Sequence, residues 1–403
     1  MHTLQKQIAL LVFMLLLQSF VAHSQSLSGT RTQYPLGLSN SYTGVNIGAI
    51  NYAFSNAQLE PGFTAQSVKV PHTAVRIILL GHQFNKYLSA QISYMRPVGW
   101  VEYKKINTDQ SDHTVWMNVA GLTLASQIPL HKKISLFGEA GLGIITRKGF
   151  SINNVPVVKN ANYATVLAGA ALQYHLNGKW DLQISTAWSP ANKKVKQPAT
   201  TFLAAGFHYH MRPLPKATVE RNAGSGYVFP KQFILAGYTT NGLGYGVNDF
   251  ASKGAIPFFW GGEVHIQQGF SLSYQRNIFH TRKVFAFDWA AGISFWKSRD
   301  KADRFMTVSL SPVFRFTAVR SKPLDLFFEY SVAGPTYISR KIIDDKATGQ
   351  HFTFYDFMGM GVFTGKNRQL NANIRIAHYS NGNIYPQNDG LKIPLTFQLG
   401  YVF

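Results

Sequence analysis

The sequence predicts an all-β protein made of two tandem antiparallel transmembrane β-barrels of about eight strands each. Three observations point there. Apolar residues alternate with polar or small ones at a period of two, over stretch after stretch of barrel-strand length. Charged residues make up only 14% of the 403 residues while aromatics reach 14%, with 34 glycines and no long apolar helix after the first residues. A Pro/Gly-rich break falls near the middle of the chain. One barrel of sixteen or more strands is the alternative, with that break as a large turn.

Residues 1–24 read as a signal peptide: Lys6 supplies the charge, Ile8 to Leu17 the apolar core, and Ala22-His23-Ser24 the small residues before a cleavage point. A single uncleaved anchor helix fits less well, because the apolar run is short for a span. Residues 25–211 form the first barrel, with strands expected near 42–53, 72–83, 87–97, 114–126, 134–145, 163–174, 180–188 and 200–210. Asn85-Lys86, Pro129 to Lys133 and Asn177-Gly178-Lys179 supply turns. In the segment 134–145 the alternation sends Glu139 to the lumen. Residues 212–231, with Pro213, Pro215, Gly224, Gly226 and Pro230, read as a linker. Residues 232–403 form the second barrel, with strands near 232–241, 257–276 (one long or two short), 283–297, 305–318, 324–334, 352–363, 369–380 and 393–403. The halves share a strand rhythm and no motif.

The chain has no Cys, which removes disulfides, zinc-thiolate sites and Cys nucleophiles. Its 39 Lys+Arg against 18 Asp+Glu give a net charge of +21 and predict an anionic environment or simply basic loops. For an exported barrel the anion expected is the phosphate of lipopolysaccharide, not nucleic acid. No phosphate-binding glycine loop stands out, and His208 and His210 lack an evident third ligand for a metal.

One stretch carries chemistry. In the run 370–380, Leu370, Ala372, Ile374 and Ile376 share an apolar face, and Asn371, Asn373, Arg375 and Ala377 the other. Continuing the alternation puts His378 and Ser380 on the apolar face, where polar groups at a lipid boundary are costly unless used. The next run alternates Ile393, Leu395, Phe397, Leu399, Tyr401 and Phe403 outward. It looks like the closing strand of a bacterial outer-membrane barrel, and its aromatic end resembles the signal read by the barrel assembly machinery. The segment 381–392 then lies outside, and the site faces the outer leaflet, whose lipid is the nearest substrate.

His378-x-Ser380-Asn381 followed by Asn388-Asp389-Gly390 resembles the lipid A 3-O-deacylase family of outer-membrane acyl hydrolases. Phe328 to Gly334 and Phe352 to Gly361 resemble its preceding strands, and the likeness covers roughly residues 228–403. The resemblance implies an eight-stranded barrel with a surface His/Ser pair that removes an ester-linked acyl chain from the lipid A of lipopolysaccharide. It implies residence in the bacterial outer membrane, no metal and no organic cofactor. One departure stands out: Lys392 occupies the position where the family has Glu.

On one strand, residues i and i+2 share a face with Cβ atoms roughly 7 Å apart, so His378 is placed to take a proton from the Ser380 hydroxyl. A third member should orient the imidazole. Lys392, a cation with donors only, cannot; Asp389, the nearest carboxylate in sequence, is the expected catalytic substitute, and Asn388 offers a side-chain carbonyl as the other candidate. The oxyanion needs donors, and the resemblance makes the backbone amides at Asn381, Gly382 and Asn383 and near Asn388 the candidates. Each has an ordinary reading beside this one: polar residues at a strand end and strong Asn-Asp-Gly turn sequence. Arg375, Glu329 and Asp356 read as structural, the first two as a lumen ion pair. Arg340, Lys341 and Lys346 read as loop cations. The competing readings are a non-catalytic structural or porin-like barrel with a degenerate site, and a one-barrel transporter. The first barrel carries no chemical constellation, and whether homo-oligomers form stays open.

Overall fold

A computed structural model describes residues 31–252 and 261–403. The expected signal peptide 1–24 and residues 257–260 of one expected strand lie outside them. The chain closes two separate rings. The first is β1 Ser41–Asn51, β2 Thr73–Gln83, β3 Leu88–Pro97, β4 Asp109–His131, β5 Ile134–Lys148, β6 Ala161–His175, β7 Trp180–Ser189 and β8 Thr200–Met211. Each pairs antiparallel with the next, and β8 returns to β1. The second is β9 Gln232–Thr240, β10 Val264–His280, β11 Phe285–Ser298, β12 Arg304–Arg320, β13 Leu324–Ile338, β14 Phe352–Thr364, β15 Leu370–Ser380 and β16 Leu391–Val402, closed by β16 on β9. Closure of two eight-strand rings overturns the single-barrel alternative, and with it the one-barrel transporter.

The alternation explains why these segments pair this way. With no water in the hydrocarbon, every backbone group must pair within the sheet, and only a closed ring does so. The outer walls carry leucine and phenylalanine, as at Leu399, 71% exposed on β16. The lumens carry charge that is buried and paired. Arg76 places two guanidinium nitrogens on Glu139 at 2.5 and 2.9 Å, and Gln91 and Thr123 each donate to the same carboxylate at 2.7 Å. In the second lumen Arg315 meets Asp288 at 2.7 Å and Arg375 meets Glu329 at 2.6 Å. Leaving any of these charges alone would cost several kcal/mol, on the order of 3–5.

Short turns such as 132–133 and 321–323 gather at one end of the barrels, and long loops such as 52–72 and 381–390 at the other. Long loops mark the outer side of such barrels. There β4, 23 residues long, outruns the membrane and pairs with a strand at Val101–Ile106, which in turn pairs with Ala65–Lys69. Those short strands were not expected from the sequence, because they show no barrel-length run. Two helices were also unforeseen. α1 Lys216–Ala223 lies between the barrels in the chain, and α2 Gly246–Ser252 follows β9.

One register expectation is corrected. Ile393 does not face lipid with Phe397 and Leu399; it is fully buried in the lumen core with Ala377 and Tyr379. The pairing of β15 with β16 shifts between Arg375/Thr396 and Ala377/Ile393. Pro394 sits in that bulge, and Pro within a sheet belongs where a ladder bond is already missing. The bulge reverses the facing of every β16 residue before it. Lys392, lumenal by strict alternation from Phe397, thereby points out beside His378.

Candidate active site

The outer end of β15 builds the site. His378 lies opposite Asp356 on β14 and opposite Lys392 on β16; Ser380 lies opposite Phe354. All sit on the outer wall, since Ala377 and Tyr379 between them fill the lumen core. His378 is nevertheless buried. Gly390 packs on its ring: a Cβ there would come within 3.1 Å of the imidazole Cε1, and Gly390 has φ +63°. α2 covers the wall beside it. Asn248 donates to the Ile393 carbonyl at 2.8 Å, and Ala251 packs on Ile376. The Nδ1 of His378 is buried with no partner among the described residues. Ser380 is half-buried, and among the described residues no hydrogen bond joins it to His378. Catalytic hydrogen bonds in unliganded sites are often long and tighten when substrate arrives.

The turn after Ser380 is tightly braced. Gly382 and Asn383 have φ +61° and +57°, and the Ile384 amide returns to the Asn381 carbonyl at 3.1 Å. Two successive left-handed residues favour Gly and Asn, which adopt that conformation at least cost. Asn388 Oδ1 accepts from the Asn381 amide at 2.8 Å, and its Nδ2 donates to Asn383 Oδ1 at 2.7 Å. Asn381, fully buried, donates its side-chain amide to the Gln387 carbonyl at 2.6 Å. Among the described residues, the backbone amides of Gly382 and Asn383 donate to no protein acceptor.

The structure separates the candidates. It brings Asn381, Gly382, Asn383 and Asn388 into one braced turn directly after Ser380. It takes Asp389 elsewhere: its Oδ2 accepts from the Ala347 amide at 2.7 Å and its own amide donates to the Ala347 carbonyl at 3.1 Å, tying down the neighbouring loop. Two carboxylates that the sequence reading did not place at the site stand nearer. Asp356 is the cross-strand neighbour of His378, with Oδ1 on the Ala333 amide at 2.5 Å. Asp249 of α2 pairs with Lys392 at 2.7 Å. Asp356 was legible from its place in the FYDF run of a strand preceding β15; Asp249, 143 residues before its partner, gave no signal. Arg340 is paired with Asp303 at 2.5 Å.

A Ser–His–Asp arrangement also exists in the first barrel. Ser135 Oγ lies 2.8 Å from His175 Nε2, His175 Nδ1 lies 2.8 Å from Asp181, and His210 holds the other Asp181 oxygen at 2.7 Å. Ser135 is 1% exposed inside the lumen, at the short-turn end, so no acyl carbonyl reaches it and the cluster packs polar groups. Among the described residues no group of three or more His, Cys, Asp or Glu side chains is arranged to hold a metal ion.

Comparisons with known proteins follow the same division. The lipid A 3-O-deacylase (PagL) family model matches residues 268–401 and the OmpA-like transmembrane domain matches residues 38–213. Lipid A deacylase PagL of Pseudomonas aeruginosa is 28% identical over 106 residues, covering 26% of this chain and 58% of that protein. The solved outer-membrane enzyme PagL aligns at 18% identity and a TM-score of 0.31, over 42% of this chain and 99% of that one. The N-terminal β-barrel domain of Pseudomonas aeruginosa OprF aligns at 14% identity and a TM-score of 0.27, over 42% and 97%. The chain is a bacterial outer-membrane protein in which a barrel matching the OmpA-like transmembrane domain precedes a barrel matching the lipid A 3-O-deacylase family.

Proposed function

We propose that the second barrel hydrolyses an ester-linked acyl chain of lipid A in the outer leaflet. The observation that carries this reading is the outer end of β15: His378 and Ser380 on the lipid-side wall, followed at once by a braced turn with two unengaged amides. Ser380 Oγ attacks the acyl carbonyl carbon and its proton passes to the His378 imidazole. The oxyanion is held by the Gly382 and Asn383 amides. Collapse breaks the ester bond, and the sugar hydroxyl leaves with the proton from His378. Water then cleaves the acyl-serine, releasing the fatty acid and restoring both side chains. No metal or organic cofactor enters these steps.

Asp356 is the carboxylate best placed to stabilise the imidazolium, because the register sets it opposite His378 and its second oxygen is not the one bound by Ala333. Lys392, in the position where a carboxylate was expected, is neutralised by Asp249. Purified protein with lipopolysaccharide in mixed micelles tests the reading. Fatty acid is released by the unmodified chain, and Ser380→Ala and His378→Ala each lose it by about a thousandfold or more, as when a nucleophile or its base is removed. Release that survives Ser380→Ala would remove the mechanism.

A further inference from the structure

The turn that would hold the oxyanion is not braced by its own barrel alone. Asn118 Nδ2 of β4 donates to the Asn383 carbonyl at 3.0 Å, and Thr146 Oγ1 of β5 donates to the Ile384 carbonyl at 2.9 Å. Asn162 Nδ2 of β6 donates to the same Ile384 carbonyl and, at 2.7 Å, to Thr146 Oγ1. These three residues are cross-strand neighbours, Asn118 with Thr146 and Thr146 with Asn162. They form one polar row across three strands of the first barrel.

The row sits on the outer wall, because Met117 and Val119 on either side of Asn118 fill the lumen. On that wall Asn118 is 2% and Thr146 1% exposed, while Leu122 and Leu142 on the same face are 56% and 44% exposed. The barrels therefore meet here at their outer ends, and the nearby lipid-facing wall stays open. A second join lies at the opposite end, where Tyr34 stacks on Phe279 at 4.8 Å and Arg31 reaches the Phe229 carbonyl and Asn277 at 3.1 Å.

We propose that the first barrel is the positioning partner of the second: its polar row grips the 383–384 carbonyls and fixes the adjoining Gly382 and Asn383 amides where the reaction needs them. This rests on the deacylase reading for its catalytic consequence; the grip itself does not. Holding the Asn383 carbonyl fixes the peptide plane that carries the Ile384 amide; that amide donates to the Asn381 carbonyl at 3.1 Å, whose own plane carries the Gly382 amide, and an oxyanion site misplaced by about 1 Å loses roughly a hundredfold. Asn118, Thr146 and Asn162 are positioning residues and touch no substrate atom in this account.

The test uses the full chain, folded in detergent micelles, with the triple variant Asn118→Ala, Thr146→Ala, Asn162→Ala. Amide hydrogen exchange over 381–388 should quicken at least tenfold. The kcat on lipopolysaccharide should fall roughly ten- to hundredfold, with KM unchanged. Thr146→Val, which keeps the shape and loses the donor, should show part of both effects; Thr146→Ser should show neither. The single variants also serve if the triple variant fails to fold. Leu122→Ala on the open wall should change nothing. Unaltered exchange and kcat in the folded triple variant or in Thr146→Val would overturn the proposal. If the unmodified chain releases no fatty acid, the deacylase reading falls, while the exchange data still decide the grip.

Discussion

At the scale of single residues, the Asn388-Asp389-Gly390 motif acquires a physical reason. Asn388 ties the turn to Asn381 and Asn383, Asp389 holds the Ala347 amide, and Gly390 takes a left-handed conformation against the imidazole. The sequence showed strong turn chemistry there and left the bond partners open, because a turn residue's partners depend on loops that meet only after folding. It follows that Asp389 and Asp356 differ in kind. Asp356→Asn should lower kcat by a hundredfold or more while KM holds, since removing the orienting carboxylate of a triad is that costly. Asp389→Asn should leave kcat within about threefold and loosen the 345–349 loop instead. Steady-state kinetics on the two variants checks this, and equal losses would return Asp389 to the site.

The elements explain what alternation conveyed and what it hid. β15 was fully legible: its apolar face meets lipid and its polar face fills the lumen, so period two placed His378 and Ser380 correctly on the outer wall. β16 was legible only beyond Pro394. The bulge there adds one residue, turns Ile393 inward and brings Lys392 out beside His378. α2 was not legible, since seven residues in a long loop carry no clear period. Yet it supplies Asp249, which neutralises Lys392. An unpaired ammonium beside the imidazole would oppose its protonation during attack. Asp249→Asn should therefore lower kcat/KM about tenfold, and the added substitution Lys392→Met should recover most of that loss. No recovery in the double variant would show that Asp249 acts through something other than the charge of Lys392.

Across the whole molecule, two closed rings meet at the turn after Ser380. The strand rhythm made both barrels readable, because a membrane leaves few ways to satisfy a backbone. The contact between them was unreadable, because Asn118, Thr146 and Asn162 look like ordinary rim residues in their own strands. The first barrel's stability should rest on its lumen and not on this rim. Arg76→Ala leaves Glu139 buried with neutral partners only and should cost about 3–5 kcal/mol in urea unfolding. The second barrel's site should stay intact as long as the first barrel remains folded. A loss below about 1 kcal/mol would mean the lumen admits enough water to solvate Glu139.

Cleavage of a lipid A acyl ester through Ser380 is read out by lipid A mass spectrometry. The full chain is expressed in the outer membrane of a host that lacks such an activity, beside Ser380→Ala. Lipid A should be lighter by one acyl chain with the unmodified protein and unchanged with the variant. Unchanged lipid A in both, with the protein folded and inserted, would contradict it.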